Sequence, residues 1–252
     1  MPGVCFLGTG EAFDGERVHC SVLYEGSRKL LFDCGPTVPG ALWKRGIRRD
    51  ELDAVYISHF HADHLFGLPL LLTAMRTDGR RRPLFVFGQK GLGERAETLT
   101  RLAYGSTWDE AGFPIEFLEV EPGACVSWEG TTFESAPSEH PWRNLSVRVG
   151  IDRRTLCYSG DGAATEESKT LFHGADLLVH EAYVAEEPVA GHGTVHDVVA
   201  LAKQARVRKL ALVHLSRHFR PDVHNALADC DTEGVEVRVP EDGERWTFGP
   251  GG

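Results

Sequence analysis

The stretch Ala54-Val55-Tyr56-Ile57-Ser58-His59-Phe60-His61-Ala62-Asp63-His64 decides how this chain is read. Its first half, residues 54–58, is short, apolar and rich in β-branched and aromatic side chains, which predicts a buried strand. Its second half places three histidines and an aspartate just past the strand end. Imidazole and carboxylate are ligand types that suit zinc and similar divalent ions. Backbone leaving a strand can splay successive side chains in several directions, so one run can feed two ions. His59 and His61 would then turn to one ion, and Asp63 and His64 to the other, at the separation of about 3.5–4 Å usual for paired metals. A histidine-rich surface loop is the competing explanation, and the buried strand directly before the run weighs against it.

Four ligands do not complete two sites. Further along the chain three residues follow predicted strands or short loops after them: His140 behind Ser135-Ala136-Pro137-Ser138-Glu139, Asp161 in Tyr158-Ser159-Gly160-Asp161, and His214 in Leu210-Ala211-Leu212-Val213-His214. Taken singly, such residues are more often structural. With the run they form a set.

Around these landmarks the pattern predicts strands at 4–7, 21–24, 29–32 and 84–87, and helices at 37–45, 65–75 and 93–103. A meander of strands follows at 115–119, 131–136, 145–150 and 154–158. Helices at 165–173, 195–206 and 221–229 then alternate with strands at 176–179, 209–214 and 235–239. Thr194 with Asp197 three residues on reads as a variant capping box opening the 195–206 helix. Strand-and-helix halves of this kind point to an α/β layered sandwich with sheets inside and helices outside. The apolar helix at 65–75 can bury against the core or against a second copy of the chain, and the sequence leaves both open.

The 252 residues suit one large domain or two small ones, and 42% hydrophobic content suffices for a core without staples. A net charge of −10 argues for a small substrate over nucleic acid, whose binding draws on a positive surface. The small basic run of Arg76, Arg80, Arg81 and Arg82 reads as a solvated loop. Six cysteines without a paired spacing read as reduced thiols. The opening residues lack a basic segment followed by a long apolar run, and no apolar run reaches membrane-spanning length. A cytoplasmic protein without membrane contact is expected.

The H-x-H-x-D-H run with its distant His, Asp and His resembles the metallo-β-lactamase superfamily over nearly the whole chain, which implies a four-layer αββα sandwich in a single domain spanning 1–252. Tyr158-Ser159-Gly160-Asp161, Leu177-Leu178-Val179-His180-Glu181-Ala182, Gly191-His192-Gly193-Thr194 and His214-Leu215-Ser216 resemble the successive motifs of one branch, that of ribonuclease Z and its small phosphodiesterase relatives. The resemblance implies that His59, His61 and His140 bind one ion, that Asp63, His64 and His214 bind the other, and that Asp161 bridges them. His192 and Glu181 match the branch's catalytic histidine and its carboxylate partner, so the candidate catalytic residues are Asp63, His192 and Glu181. There are departures. Ribonuclease Z usually carries a long arm for tRNA between the positions of His140 and Asp161, and the stretch 141–160 is too short for one. Val213 stands where the branch often has Thr, Phe219 where it often has Tyr, and Ser146-Val147 where Gly-Tyr is common.

The expected cofactors are two divalent ions, zinc by default, with manganese, iron or nickel also suited to such ligands. A metal-bridging hydroxide would attack phosphorus, and His192, oriented by Glu181, would protonate the leaving alkoxide. The expected function is hydrolysis of a small, cyclic or nucleotide phosphodiester. Hydrolysis of a carbonyl substrate, as in lactonases and β-lactamases, uses the same ligands, and tRNA 3′-end cleavage is a third reading. Asp33 either holds a ligand histidine from behind or caps a turn, and the sequence does not choose between them.

Overall fold

In the computed structural model, residues 1–108 and 112–249 are described. The chain divides into two compact units, one of residues 1–8, 17–119 and 242–252, the other of 9–16 and 120–241. In chain order the first 119 residues give β1 Gly3–Gly8, β2 Ser21–Glu25, β3 Lys29–Phe32, α1 Val38–Lys44, β4 Ala54–Ile57, α2 Ala62–Leu65, α3 Leu68–Thr77, β5 Leu84–Gly88, α4 Leu92–Tyr104 and β6 Ile115–Glu119. Then come β7 Cys125–Trp128, β8 Thr131–Glu139, β9 Leu145–Ile151, β10 Arg154–Tyr158, β11 Ala163–Ala164, α5 Glu166–Leu171, β12 Leu177–Glu181, α6 Val195–Gln204, β13 Lys209–Val213, α7 Val223–Ala228, β14 Glu236–Arg238 and β15 Arg245–Thr247.

The first unit holds one sheet in the order β15-β1-β2-β3-β4-β5-β6. From β3 onward its neighbours are parallel, each pair joined by a helical crossover. Alternate strand residues, Cys5 and Leu7, Leu23, Leu31, Val55 and Ile57, Leu84 and Val86, pack with Val38 and Leu42 of α1, Leu68, Leu71, Leu72 and Met75 of α3, and Leu92 and Ala96 of α4. The opposite parity, including Phe6, Tyr24, Phe32 and Tyr56, is buried as well. Strands buried on both faces read as continuous apolar runs rather than as alternation, which is why β3 and β4 are plain in the sequence.

The second unit holds the sheet β11-β8-β9-β10-β12-β13-β14, with β7 paired to β8. Here β10, β12, β13 and β14 are parallel, and α5, α6 and α7 cross between them. Cys157, Leu178, Leu210 and Leu212 pack against Phe172, Val195, Val198, Val199, Ala202 and Val223. In both units residues that follow the carboxyl ends of parallel strands gather at one edge, the usual ligand edge of such sheets.

Several expectations are corrected. The strand at 115–119 does not begin a meander: β6 pairs in parallel with β5 in the first sheet. Strands β7, β11 and β15 were not anticipated, and β15 returns the chain to pair antiparallel with β1. The helix expected at 65–75 is broken into α2 and α3. The break is steric and polar together: Gly67 N–H donates to Cys34 O at 2.8 Å, and a Cβ on Gly67 would lie 2.1 Å from Gly35 O. Helix α3 turns Leu68, Leu71, Leu72 and Met75 into its own unit's core, so its apolar face is used within the chain. At α6, Thr194 Oγ1 accepts from Asp197 N but donates to the Asp197 carboxylate, which is half of a capping box; the complete box is Thr165 with Ser168 at α5. Nor is the basic run simply solvated. Arg80 is 3% exposed and donates to the carbonyls of Leu52, Arg82 and Pro83, while Arg82 pairs with Asp53.

Among the described residues no helix is long and apolar enough to cross a membrane, and the six cysteines form no disulfide.

Because the two backbones cross at Gly35 and Gly67, Gly67→Ala should destabilise the protein by roughly 3 kcal/mol, read by chemical denaturation. Gly40→Ala, in α1 with open space at its Cβ, should instead be neutral or stabilising by about 0.5–1 kcal/mol. Equal effects would refute the steric account.

Candidate functional site

In the first unit the metal run leaves β4 directly. His59 and His64 are fully buried, Asp63 is nearly so, and His61 is half-buried. The rings of His59 and His61 have centroids 4.7 Å apart, and those of His59 and His64 4.2 Å. Behind them lies Asp33, at the end of β3 with a left-handed φ of 57°. Its Oδ1 accepts the Ser58 N–H at 2.7 Å, and its Oδ2 accepts the Ser58 hydroxyl at 2.7 Å and the His64 Nδ1–H at 2.6 Å. His59 Nδ1 lies 3.1 Å from the same Ser58 hydroxyl. Asp33 therefore holds a candidate ligand from behind, and the backbone N–H it accepts belongs to the end of β4 rather than to a turn of its own. With Nδ1 engaged in this way, each of these imidazoles presents Nε2 as its lone-pair atom.

That assignment bears on what the run can hold. His64 Nε2 faces Asp63 Oδ2 at 3.0 Å. Two electron-rich atoms so close repel unless a proton or a cation stands between them. Buried imidazole and carboxylate donors of this type suit a divalent ion, and the residues fit one.

The second unit contributes its own set. His140 follows β8, and its Nδ1–H donates to Trp142 O at 2.8 Å, which again leaves Nε2 as the lone-pair atom. Asp161 follows β10, with its N–H held by the Asn144 side chain at 3.2 Å. His214 follows β13 at a left-handed φ of 54°, its N–H donated to Thr9 O at 3.0 Å, and its Nε2 lies 3.5 Å from Asp161 Oδ2. The ligand atoms of His140 and Asp161 lie within 4.8 Å of one another, as do those of Glu181, His192 and His214.

His192 and Glu181 meet as the sequence motifs imply. Glu181 ends β12 and is fully buried. Its Oε1 accepts from Gly162 N at 2.7 Å, Gly193 N at 3.2 Å and His192 Nδ1 at 3.0 Å. The His192 ring lies 5.8 Å from that of His140 and 6.0 Å from that of His214, centroid to centroid. Burial, the largest single influence, disfavours the charged imidazole. The hydrogen bond and charge of Glu181 with the charge of Asp161 outweigh it, against a smaller opposing effect of His214, so the pKa of His192 lies above the ordinary histidine value. His180, one residue before Glu181, has its pKa lowered by burial and gives its Nδ1–H to Glu181 O. It belongs to the core.

Three polar residues of this site were not singled out from the sequence. Ser58 was read only as a strand end. Asn144 is a buried amide that also ties Ser138 and Ser159. Tyr183 stacks on His192 at 4.4 Å. None sits in a spacing that marks it; only Ser58, directly between a strand and a ligand, carried a positional hint.

A family model described as "Anti-Pycsar protein Apyc1" matches residues 3–229. Ribonuclease Z of Methanosarcina acetivorans is 28% identical over an alignment covering 96% of each protein. The human short-form tRNase Z structure superposes with a TM-score of 0.81 at 25% identity, covering 98% of this chain and 99% of that one. YhfI of Bacillus subtilis, a metallo-β-lactamase fold protein, gives 0.80 at 22% identity, covering 97% and 98%.

If Asp33 and Ser58 orient the ligand imidazoles, Ser58→Ala should weaken divalent-metal affinity about 10–100-fold without unfolding the chain. Competition with a chelating dye reads this directly, and unchanged affinity would remove the orienting role.

Proposed function

Since this chain belongs to the Anti-Pycsar protein Apyc1 family, in the ribonuclease Z branch of the metallo-β-lactamase superfamily, we propose that its substrate is a small phosphodiester, cyclic or nucleotide, hydrolysed at a centre of two ions. The protein is a metal-dependent hydrolase. In this reading His59, His61 and His140 hold one ion, Asp63, His64 and His214 the other, and Asp161 both. Zinc is the first metal to test, and a cytoplasmic setting is in keeping with the unbridged cysteines. When bound, such ions supply an acidified water as nucleophile and offset charge on the phosphoryl oxygens.

The observation that carries the phosphodiester reading is the pair of His192 and Glu181. Expelling an alkoxide from phosphorus calls for a proton at the leaving oxygen. Glu181 fixes the His192 tautomer with Nδ1–H toward itself, so the other nitrogen, Nε2, is the one that delivers the proton. Gly162 N, Gly193 N and His192 Nδ1 converge on Glu181 Oε1, and the carboxylate's charge favours the protonated imidazole. Opening a lactone or a β-lactam uses the same ligands but draws less on a strong leaving-group acid.

A second reading, cleavage of tRNA 3′ ends, is favoured by the likeness to ribonuclease Z and tRNase Z proteins. Against it stand the acidic charge and the stretch 141–160, which is taken up by a turn and the β9–β10 hairpin. The alignment to the Methanosarcina protein also runs over 298 positions against a chain of 252, so that relative carries segments with no counterpart here.

The experiment is hydrolysis of bis(p-nitrophenyl) phosphate and diphenyl phosphate by protein loaded with a known amount of zinc, beside a lactone, nitrocefin and a tRNA precursor. Turnover of the diesters is expected; turnover of the lactone or the precursor alone would overturn the reading. His192→Ala should lower kcat on diphenyl phosphate by about 10²–10⁴-fold, far less on bis(p-nitrophenyl) phosphate, whose leaving group departs without a proton, and should leave metal content unchanged. The pH dependence has a definite sign. The acid works protonated, so kcat falls as pH rises through the His192 pKa. Glu181→Gln removes the charge that raises this pKa, and the alkaline limb should move to lower pH.

A further inference from the structure

Tyr183 lies two residues beyond Glu181, the last residue of β12, and its backbone fastens three segments together. Its N–H donates to Gly193 O at 2.9 Å, next to His192, and its carbonyl accepts from Ser216 N at 3.0 Å, two residues beyond His214. Its half-buried ring lies on the His192 ring with centroids 4.4 Å apart and planes inclined by 21°. It also lies 6.2 Å from the His214 ring.

A hydrogen bond from Nδ1 to Glu181 fixes one atom of the His192 imidazole but leaves the ring free to swing about that contact. A flat partner at stacking distance removes the swing. The loop backbone around His192 is held by the His192 N–H on Val189 O and the Tyr183 N–H on Gly193 O, contacts that fix the Cα position and leave the plane of the ring to its side-chain neighbours. We propose that Tyr183 is a positioning residue that sets the plane of His192, so that Nε2 faces the leaving oxygen. This rests on the reading of His192 as the leaving-group acid. The face of the ring does the work, so phenylalanine serves as well as tyrosine and leucine does not.

Three variants and two readouts test it. Tyr183→Leu should lower kcat on diphenyl phosphate about tenfold, since sub-ångström misplacement of a proton donor is costly, with KM little changed and kcat on bis(p-nitrophenyl) phosphate nearly kept. Tyr183→Phe should restore most of the loss. In ¹⁵N-histidine-labelled protein the Nδ1 proton of His192, identified by its absence in His192→Ala, should stay sharp in Tyr183→Phe and broaden in Tyr183→Leu. Equal losses on both diesters, no loss on diphenyl phosphate, or a sharp Nδ1 proton in the leucine variant would overturn the proposal. If His192→Ala itself shows no leaving-group dependence, the acid reading fails, and the Nδ1 signal still decides whether Tyr183 holds the ring.

Discussion

The carboxylate of Asp33 is the contact on which the first unit's His59–His64 run depends. It is fully buried at a strand end, and a buried carboxylate is costly unless its lone pairs are used. Here they take a backbone N–H, a hydroxyl and an imidazole N–H. The first two bind the end of β3 to the end of β4, and the third fixes His64. The fold and the ligand orientation are thus one network: loosening β3 from β4 would turn His64, and removing His64 would leave a buried charge short of a donor.

Glu181 has the matching place in the second unit, at the end of β12, and it too binds backbone N–H groups from two loops and one imidazole Nδ1. The same device serves two ends. Held by Asp33, an imidazole presents a lone pair beside other electron-rich donors, the arrangement that suits a cation. Held by Glu181, an imidazole outside the proposed ligand set keeps a raised pKa and has a proton to give. The difference lies in the neighbours: Asp63 faces Nε2 of His64, whereas His192 is flanked by an aromatic face and two other imidazoles.

What was legible in the sequence was local. The strand before the His59–His64 run, the residues at strand ends, and the pairing of His192 with Glu181 all follow from short stretches whose chemistry is carried by adjacent residues or a family motif. What was not legible depended on distant partners. β6 reads like any other short strand, and only its pairing with β5 puts it in the first sheet. β15 is three residues long and exists because β1 offers an edge. The break between α2 and α3 looks helical in periodicity, and it is forced by Gly35 from another segment. Tyr183 is one aromatic among many until the His192 loop is laid over it.

Backbone strain separates site from scaffold in a further way. Six described non-glycine residues have positive φ: Asp33, Glu129, Asp152, Arg153, Arg206 and His214. Left-handed backbone costs such residues roughly 1–2 kcal/mol each. For four of them the conformation is what a turn requires. Glu129 with Gly130 closes β7 onto β8, Asp152 with Arg153 closes β9 onto β10, and Arg206 follows the end of α6. Asp33 and His214 belong to no hairpin and no helix end. Each sits where a parallel strand stops, in one unit and the other, and each turns a side chain toward its own unit's histidine and carboxylate neighbours. Extended backbone would stand each side chain out from a face of its sheet; the left-handed residue redirects it while the N–H still finds a carbonyl, Tyr56 O for Asp33 and Thr9 O for His214. Strain held at these two points, where no turn needs it, is accounted for by the orientation of the side chains they carry.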